Sequence, residues 1–145
     1  MSVLFKYGLI LFSLISGLTI YLLWRDTSSH FYQWAVQLGV SELIDSARSL
    51  MSTIDVSGWF VYSLPDGLWM FAFVLFMMAV WDFQMTGHGR FWIIISVIVG
   101  ISFEIFQALV SGMGAFDWVD MLFMTIGAGL PLLLFKKNQV YEKVL

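Results

Sequence analysis

Four long apolar runs alternate with polar stretches along the 145 residues of the chain. A membrane-spanning helix needs roughly 20 mostly apolar residues to cross about 30 Å of hydrocarbon, and each run comes near that length. The sequence therefore predicts an all-α membrane protein, a four-transmembrane-helix bundle that forms one integral membrane domain over residues 1–145. The predicted spans are 3–24, 64–82, 91–110 and 118–135.

The polar stretch 25–63, between the first two predicted spans, contains two shorter helical patterns. The first stripe of apolar residues consists of Phe31, Trp34, Ala35 and Leu38, with serines before it and Gly39 after it. The second stripe consists of Val40, Ile44, Ala47, Met51 and Ile54. Serine is typical of helix starts and glycine of helix ends. We predict two short amphipathic helices that lie on the outer membrane surface or cap the bundle; the alternative is that they only fill the connection.

Aromatic residues follow this stretch where the chain enters the second predicted span. Trp59, Tyr62 and Trp69 are of the type that collects at the membrane–water interface. We therefore expect them to belong to an interfacial aromatic belt.

The composition excludes several other classes of protein. The chain is 60% hydrophobic, 18% aromatic and 12% charged, with a mean hydropathy of +0.87, which is not the composition of a soluble globular domain. A net charge of −3 without basic clusters argues against nucleic-acid binding. Cysteine is absent, so disulfides, thiolate metal sites and cysteine nucleophiles are excluded.

Basic residues set the expected orientation, because Lys and Arg are enriched on the cytoplasmic side of membrane proteins. With four spans, one side receives Lys6, Arg90, Lys136, Lys137 and Lys143. The opposite side receives Arg25 and Arg48, both near acidic residues. We therefore predict a multi-pass protein of the inner (cytoplasmic) membrane with both termini in the cytoplasm.

Small and polar residues form one narrow stripe on the third predicted span. The stripe consists of Ser96, Gly100, Glu104, Gln107 and Ser111, spaced by three or four residues. Such a stripe faces protein or water, because lipid would leave the Glu104 carboxylate unpaired at a cost of several kcal/mol. On the fourth span a similar face carries Asp117, Asp120, Gly127, Ala128 and Pro131, with Met124 between them.

The predicted orientation brings these polar residues to one membrane level. Asp66 starts an out-to-in helix, the third span ends outside, and the fourth starts there again. The candidate ligand-binding residues are therefore Glu104, Gln107, Asp117, Asp120 and Asp66. No catalytic residue is assigned. Asp117, Asp120 or Asp66 could instead only cap a helix, and Gln107 could only hydrogen-bond within the bundle.

Several carboxylates close together in low dielectric cannot all stay ionised without help. Three outcomes are open: protonation, a divalent cation such as Mg²⁺ or Ca²⁺, or a cationic group from a ligand or an arginine. Glu104 and Asp120 are the candidate metal ligands. Within the predicted spans no lysine or arginine is positioned to supply the charge, and Arg25 and Arg48 reach the site only if the outer helices fold over it.

The residues of the last two spans resemble the VanZ-like family of small membrane proteins. The resemblance lies in "EIFQ", a short loop, "FDWVD" and "IGAGLP" over about 100–130, and more loosely in "LPDGLWMFAF". By this resemblance Glu104, Gln107 and Asp120 correspond to the polar signature of the family. The chain departs from the family pattern in three respects: the usual loop arginine is absent, Met124 stands where Asn is frequent, and Trp69 stands in place of His.

The resemblance implies a bacterial cell-envelope protein, since the founding family member is associated with low-level teicoplanin resistance. We expect an acidic outer-leaflet site that binds a cation or a cationic or amide-bearing ligand. The alternatives are an accessory subunit of a membrane complex and a metal-assisted enzyme acting on an envelope lipid. The expected partners are the lipid bilayer, an envelope lipid or glycopeptide, and a membrane-protein partner or a second copy of the chain.

Overall fold

The computed structural model describes residues 3–109 and 116–135, and these ranges are helical apart from their connections. Ser111 and the lysines 136, 137 and 143 lie outside the described residues. The helices in chain order are α1 (Val3–Trp24), α2 (His30–Gln37), α3 (Ser41–Met51), α4 (Gly58–Tyr62), α5 (Leu64–Val80), α6 (Gly87–Leu109) and α7 (Trp118–Phe135).

Within the described ranges, four helical segments are long and apolar enough to cross a membrane: Leu4–Trp24, Gly58–Val80, Gly87–Gln107 and Trp118–Phe135. This confirms the predicted all-α membrane protein with four spans. The second segment is longer at its start than predicted, because the short helix α4 leads into α5 through Ser63.

The second span ends two residues earlier than the predicted limit, and the reason is a turn. Asp82 and Phe83 have φ angles of 50° and 59°, a left-handed conformation that residues other than glycine seldom adopt. The Phe83 N–H donates to the Met78 carbonyl at 2.7 Å, and the Phe83 side chain is buried in the core. This turn reverses the chain, so α6 begins at Gly87, four residues before the predicted start at 91.

The helix α5 lies at the centre of the bundle and packs against α1, α6 and α7. Val74, Leu75 and Met78 of α5 are at most 1% exposed and form the middle of the hydrophobic core. By contrast, within the described ranges no Cα atom of α1 comes within 8 Å of a Cα atom of α6 or α7. One side of the bundle is therefore open between α1 and α6.

Neighbouring spans run antiparallel, and charged residues mark the two ends. Lys6, near the start of α1, places its Nζ atom 3.5 Å from the centre of the Phe83 ring, just after the end of α5. At the other end, Tyr21 of α1 stacks on Trp69, near the start of α5, with ring centroids 5.6 Å apart. Arg90, at the start of α6, therefore shares the end that contains Lys6, as the sequence predicts.

The contact between α5 and α7 depends on glycine. A Cβ atom added to Gly127 would collide with the carbonyl oxygen of Gly67, and one added to Gly67 would lie 2.9 Å from the Phe123 carbonyl oxygen. Gly129, two residues further along α7, has open space instead. The small residues predicted on α7 thus allow two membrane helices to approach closely.

The two short helices predicted between the first spans are present as α2 and α3. Ser29 occupies the N-cap position of α2, although its side chain makes no capping hydrogen bond, and Gly39 has the positive φ of 74° expected at a helix stop. The Tyr32 hydroxyl donates to the Asp45 carboxylate at 2.8 Å, which joins α2 to α3 and raises the pKa of Tyr32.

Trp69, one of the residues predicted to belong to an interfacial aromatic belt, makes specific contacts within the bundle. Its indole packs on Gly17, and its Nε1–H donates to the Leu14 carbonyl at 3.3 Å. Phe31 of α2 packs beside it at 5.5 Å between ring centroids. Trp69 therefore joins α1, α2 and α5 at the end of the bundle opposite Lys6, whereas Trp59 and Tyr62 are exposed.

Candidate functional site

A cavity of about 580 Å³ opens at the end of the bundle covered by α2. All five sequence-predicted candidates line it: Asp66, Glu104, Gln107, Asp117 and Asp120. Four aromatic side chains from α1, α4 and α5 complete much of the wall: Tyr21, Trp59, Tyr62 and Trp69. The alternation of helix direction explains this convergence, because the start of α5, the end of α6 and the start of α7 meet at one level.

Three of the five candidates form a tighter group. Asp66, Glu104 and Asp120 each offer a carboxylate oxygen, and these oxygens all lie within 4.8 Å of one another. Asp66 follows Pro65 in the first turn of α5, where proline fits because its missing N–H is not needed. Asp120 lies in the first turn of α7. We refer to these three residues as the acidic cluster.

The acidic cluster is buried and incompletely paired. Glu104 is 5% exposed and Asp120 is 8% exposed, whereas Asp66 is half-buried. Glu104 Oε2 and Asp120 Oδ1 are shielded from solvent and have no hydrogen-bond partner among the residues that the structure describes. A buried carboxylate oxygen without a partner is costly, so the arrangement favours a ligand that supplies positive charge or hydrogen-bond donors.

The other two candidates have supporting contacts. Gln107 lies one turn after Glu104 on α6, and its Nε2 atom donates to Glu104 Oε1 at 3.4 Å. Asp117 is exposed and accepts a hydrogen bond at 2.9 Å from the Val119 N–H, which is the N-cap arrangement of a helix that begins at Trp118. Gln107 therefore positions Glu104, and Asp117 caps α7 at the rim of the cavity.

Arg25 is a cavity residue that the sequence left conditional. Its guanidinium lies over the Tyr21 ring at 4.4 Å and over the Tyr62 ring at 5.1 Å, and the side chain lines the cavity. Arg25 reaches this position because it directly follows α1, without a fold of the outer helices across the site. Arg48 instead donates to the Leu22 carbonyl at 2.8 Å and is not among the lining residues.

The predicted stripe on α6 faces a second cavity of about 480 Å³, which we call the crevice. Ser96, Gly100, Glu104 and Gln107 line it together with apolar side chains of α1, α5 and α7. The Ser96 hydroxyl donates back to the Trp92 carbonyl at 2.7 Å, so this serine is satisfied within its own helix. The stripe therefore faces the protein, as predicted, for the part that the structure describes.

The geometry of the acidic cluster suits one hard cation. Two oxygens on opposite sides of Ca²⁺, at about 2.3–2.6 Å from the ion, are up to about 5 Å apart, whereas around Mg²⁺ at about 2.1 Å the limit is about 4 Å. Oxygens within 4.8 Å of one another are close enough for one divalent cation to bridge them after small side-chain shifts. All-oxygen donors are the ligands that both ions prefer.

No family model matches the chain, and the searches of curated proteins and of solved structures gave no significant match. The VanZ-like resemblance of residues 100–130 therefore stays a prediction.

Proposed function

We propose that this chain is a membrane-embedded binding protein whose acidic cluster binds a divalent cation at the level of the outer leaflet. The observation that carries the proposal is the convergence of Asp66, Glu104 and Asp120 from three different helices within 4.8 Å. Two of these carboxylates are buried and keep an oxygen without a partner in the described ranges. Arg25 brings one positive charge to the same cavity, and a divalent cation at the cluster supplies the further charge that three carboxylates require.

The three-helix origin of the ligands explains what binding does to the protein. Because α5, α6 and α7 each contribute one carboxylate, an ion at the cluster links three spans and relieves the repulsion between their charges. An ion that binds only the folded state stabilises it by mass action. We expect Ca²⁺ to bind more tightly than Mg²⁺, because Ca²⁺ accepts six to eight oxygen ligands in flexible geometry, whereas Mg²⁺ demands a near-ideal octahedron.

The test is thermal unfolding of the purified protein in EDTA, in CaCl₂ and in MgCl₂ at constant ionic strength. Calcium at about 100 times its Kd stabilises the folded state by roughly 2.7 kcal/mol, with a smaller effect for magnesium. Glu104→Gln keeps the shape of the side chain and removes its charge, so the calcium effect is lost. Glu42→Gln, at an exposed glutamate of α3, is the matched control and keeps the calcium effect.

An equal calcium response of wild type and Glu104→Gln contradicts the proposal, because the ion then acts elsewhere. A Glu104→Gln variant that also unfolds in EDTA much more readily than wild type contradicts it as well. The carboxylate charge would in that case hold the fold together without any ion.

The VanZ-like resemblance extends the proposal to the bacterial cell envelope. We expect expression of the chain in a teicoplanin-susceptible bacterium to raise the inhibitory concentration of teicoplanin, and Glu104→Gln to abolish the increase. Comparable membrane levels of both proteins, measured by immunoblot, are the necessary control. An unchanged inhibitory concentration with the wild-type protein present in the membrane removes the resistance role and leaves the cation site to be judged on its own test.

A further inference from the structure

We infer that the acidic cluster and the crevice together bind one membrane lipid, with a phosphate headgroup at the cluster and a hydrocarbon chain in the crevice. This inference rests on the proposed function, because the phosphate is held through the bound cation. It adds the class of ligand: a phosphate-headed amphiphile that enters from the bilayer.

The two cavities meet at the site itself. Asp66, Trp69, Glu104 and Gln107 line both the polar cavity and the crevice. Beyond these shared residues the walls become apolar, with Met70, Phe73, Val99, Phe103 and Met124. A ligand that occupies both spaces is therefore polar at one end and apolar at the other.

The crevice has the depth and direction that a lipid chain requires. It follows α6 from Glu104 back to Ser96, a distance of about 12 Å at 1.5 Å per residue. These positions lie inside helices of membrane-spanning length and composition. The crevice thus extends from the carboxylates toward the middle of the membrane, parallel to the chains of the surrounding lipid.

The crevice is also open sideways. Its walls come from α1, through Leu14, and from α6, through Val99 and Phe103, and the three side chains are exposed. In the described chain α1 and α6 have no Cα atoms within 8 Å of each other. A lipid chain can therefore enter from the bilayer between these helices without separating a packed interface. A water-soluble ligand would not need such a sideways opening.

The charges around the polar cavity determine which lipid headgroup it can bind. The acidic cluster alone repels a phosphate, but a divalent cation at the cluster offsets most of this charge and offers a coordination position to a phosphate oxygen. Arg25 adds a further positive charge in the same cavity, held over the rings of Tyr21 and Tyr62. A guanidinium is well suited to phosphate because its planar donors match phosphate oxygens in pairs. Together the cation and Arg25 favour a lipid phosphate over a neutral headgroup.

The experiment measures binding of a phosphatidylglycerol to the detergent-purified protein by native mass spectrometry, with calcium and with EDTA. Val99→Trp fills the crevice from α6 and lowers lipid affinity by about tenfold. Ile98→Trp is the matched control, since Ile98 neighbours Val99, is equally exposed, and lines neither cavity. Leu14→Trp fills the crevice from α1, with Leu11→Trp as its control.

Headgroup recognition is tested in the same way. Arg25→Gln and removal of calcium each lower phosphatidylglycerol affinity by about tenfold, whereas Arg90→Gln, at the opposite end of the bundle, does not. Diacylglycerol, which has the same chains and no phosphate, binds at least about tenfold more weakly than phosphatidylglycerol. The calcium-dependent thermal shift, measured without added lipid, is retained in Val99→Trp and Leu14→Trp and shows that both variants fold with an intact cluster.

Three results overturn the inference. The first is equal lipid affinity of the crevice variants and their controls, which indicates ordinary lipid contact around the bundle. The second is equal binding of diacylglycerol and phosphatidylglycerol. The third is a long-chain alkylamine that binds in EDTA more tightly than phosphatidylglycerol does in calcium, because its ammonium would then occupy the carboxylates. If the calcium shift persists in any of these cases, the cation site stands and only the lipid assignment fails.

Discussion

The two ends of α5 differ in what they bury. Toward its end, Val74, Leu75 and Met78 are almost completely enclosed by apolar side chains, in a core that includes Phe83. At its start, Asp66 meets two further carboxylates beside an open cavity. The apolar end supplies stability, whereas the polar end carries unpaired charge that stabilises nothing by itself. The difference teaches that the packing of one end can offset the cost of burying unpartnered carboxylate oxygens at the other.

Truncation in the apolar end is the strongest test of this comparison. Leu75 is fully buried, so Leu75→Ala removes packed atoms and leaves a cavity, and we expect a loss of about 2–5 kcal/mol in the free energy of unfolding. Denaturant or detergent titration followed by circular dichroism measures the loss. Leu133→Ala, at a position 82% exposed on α7, should change stability by far less. Similar losses in both variants would mean that the apolar end is not the source of stability.

The close α5–α7 contact at Gly67, directly after Asp66, has the next largest expected effect. Gly127→Ala places a methyl group against the carbonyl oxygen of Gly67, and overpacking of this kind costs about 1–3 kcal/mol. Gly129→Ala, on the same helix with open space around it, should be neutral or slightly stabilising. Thermal unfolding of the two variants side by side separates the packing effect from the general preference of helices for alanine.

Trp69 tests how firmly α1 is held beside the polar cavity. Trp69→Phe keeps an aromatic ring and removes the donor to the Leu14 carbonyl, so we expect a loss of about 1 kcal/mol. Trp92→Phe, at an exposed tryptophan of α6, is the control. If both variants unfold alike, the hydrogen bond between α5 and α1 contributes nothing to stability, and the α1 wall of the cavity is held by packing alone.

Neutralising the acidic cluster should have the smallest effect and the opposite sign. In EDTA, Asp120→Asn removes one of three neighbouring charges and should raise the free energy of unfolding by roughly 0.5–1 kcal/mol. In calcium the order reverses, because the variant lacks a ligand for the ion. Asp55→Asn, at an exposed loop carboxylate, controls for net charge. A variant less stable than wild type in EDTA would contradict the contrast between the two ends.

Much of the architecture follows from pattern alone. The four spans follow from hydropathy, and the shared level of Asp66, Glu104 and Asp120 follows from alternating helix direction once the spans are known. The predicted stripe on α6 lines the cavities of the bundle, because exposure of its carboxylate to lipid is too costly. Gly127 on α7 faces α5, because two helices can approach this closely only at small residues.

Other features depend on tertiary packing that no local pattern encodes. The sequence did not indicate which spans touch, because apolar side chains pack against lipid nearly as well as against another helix. The open side between α1 and α6, and with it the crevice, could not be foreseen. The position of Arg25 was left open for a related reason: a long side chain at a helix end can turn toward water, toward lipid or inward, and only the neighbouring helices decide.

The central position of α5 also has a consequence for biosynthesis. The first two spans, α1 and α5, leave the ribosome first and pack against each other, joined by Trp69. Asp66 is part of this hairpin, Glu104 is synthesised later with α6, and Asp120 is synthesised last, at the start of α7. The crowding of the three carboxylates therefore arises only when the final helix docks. A cation present at that moment would favour completion of the bundle, so the ion would act on assembly in the membrane before it takes part in any binding event.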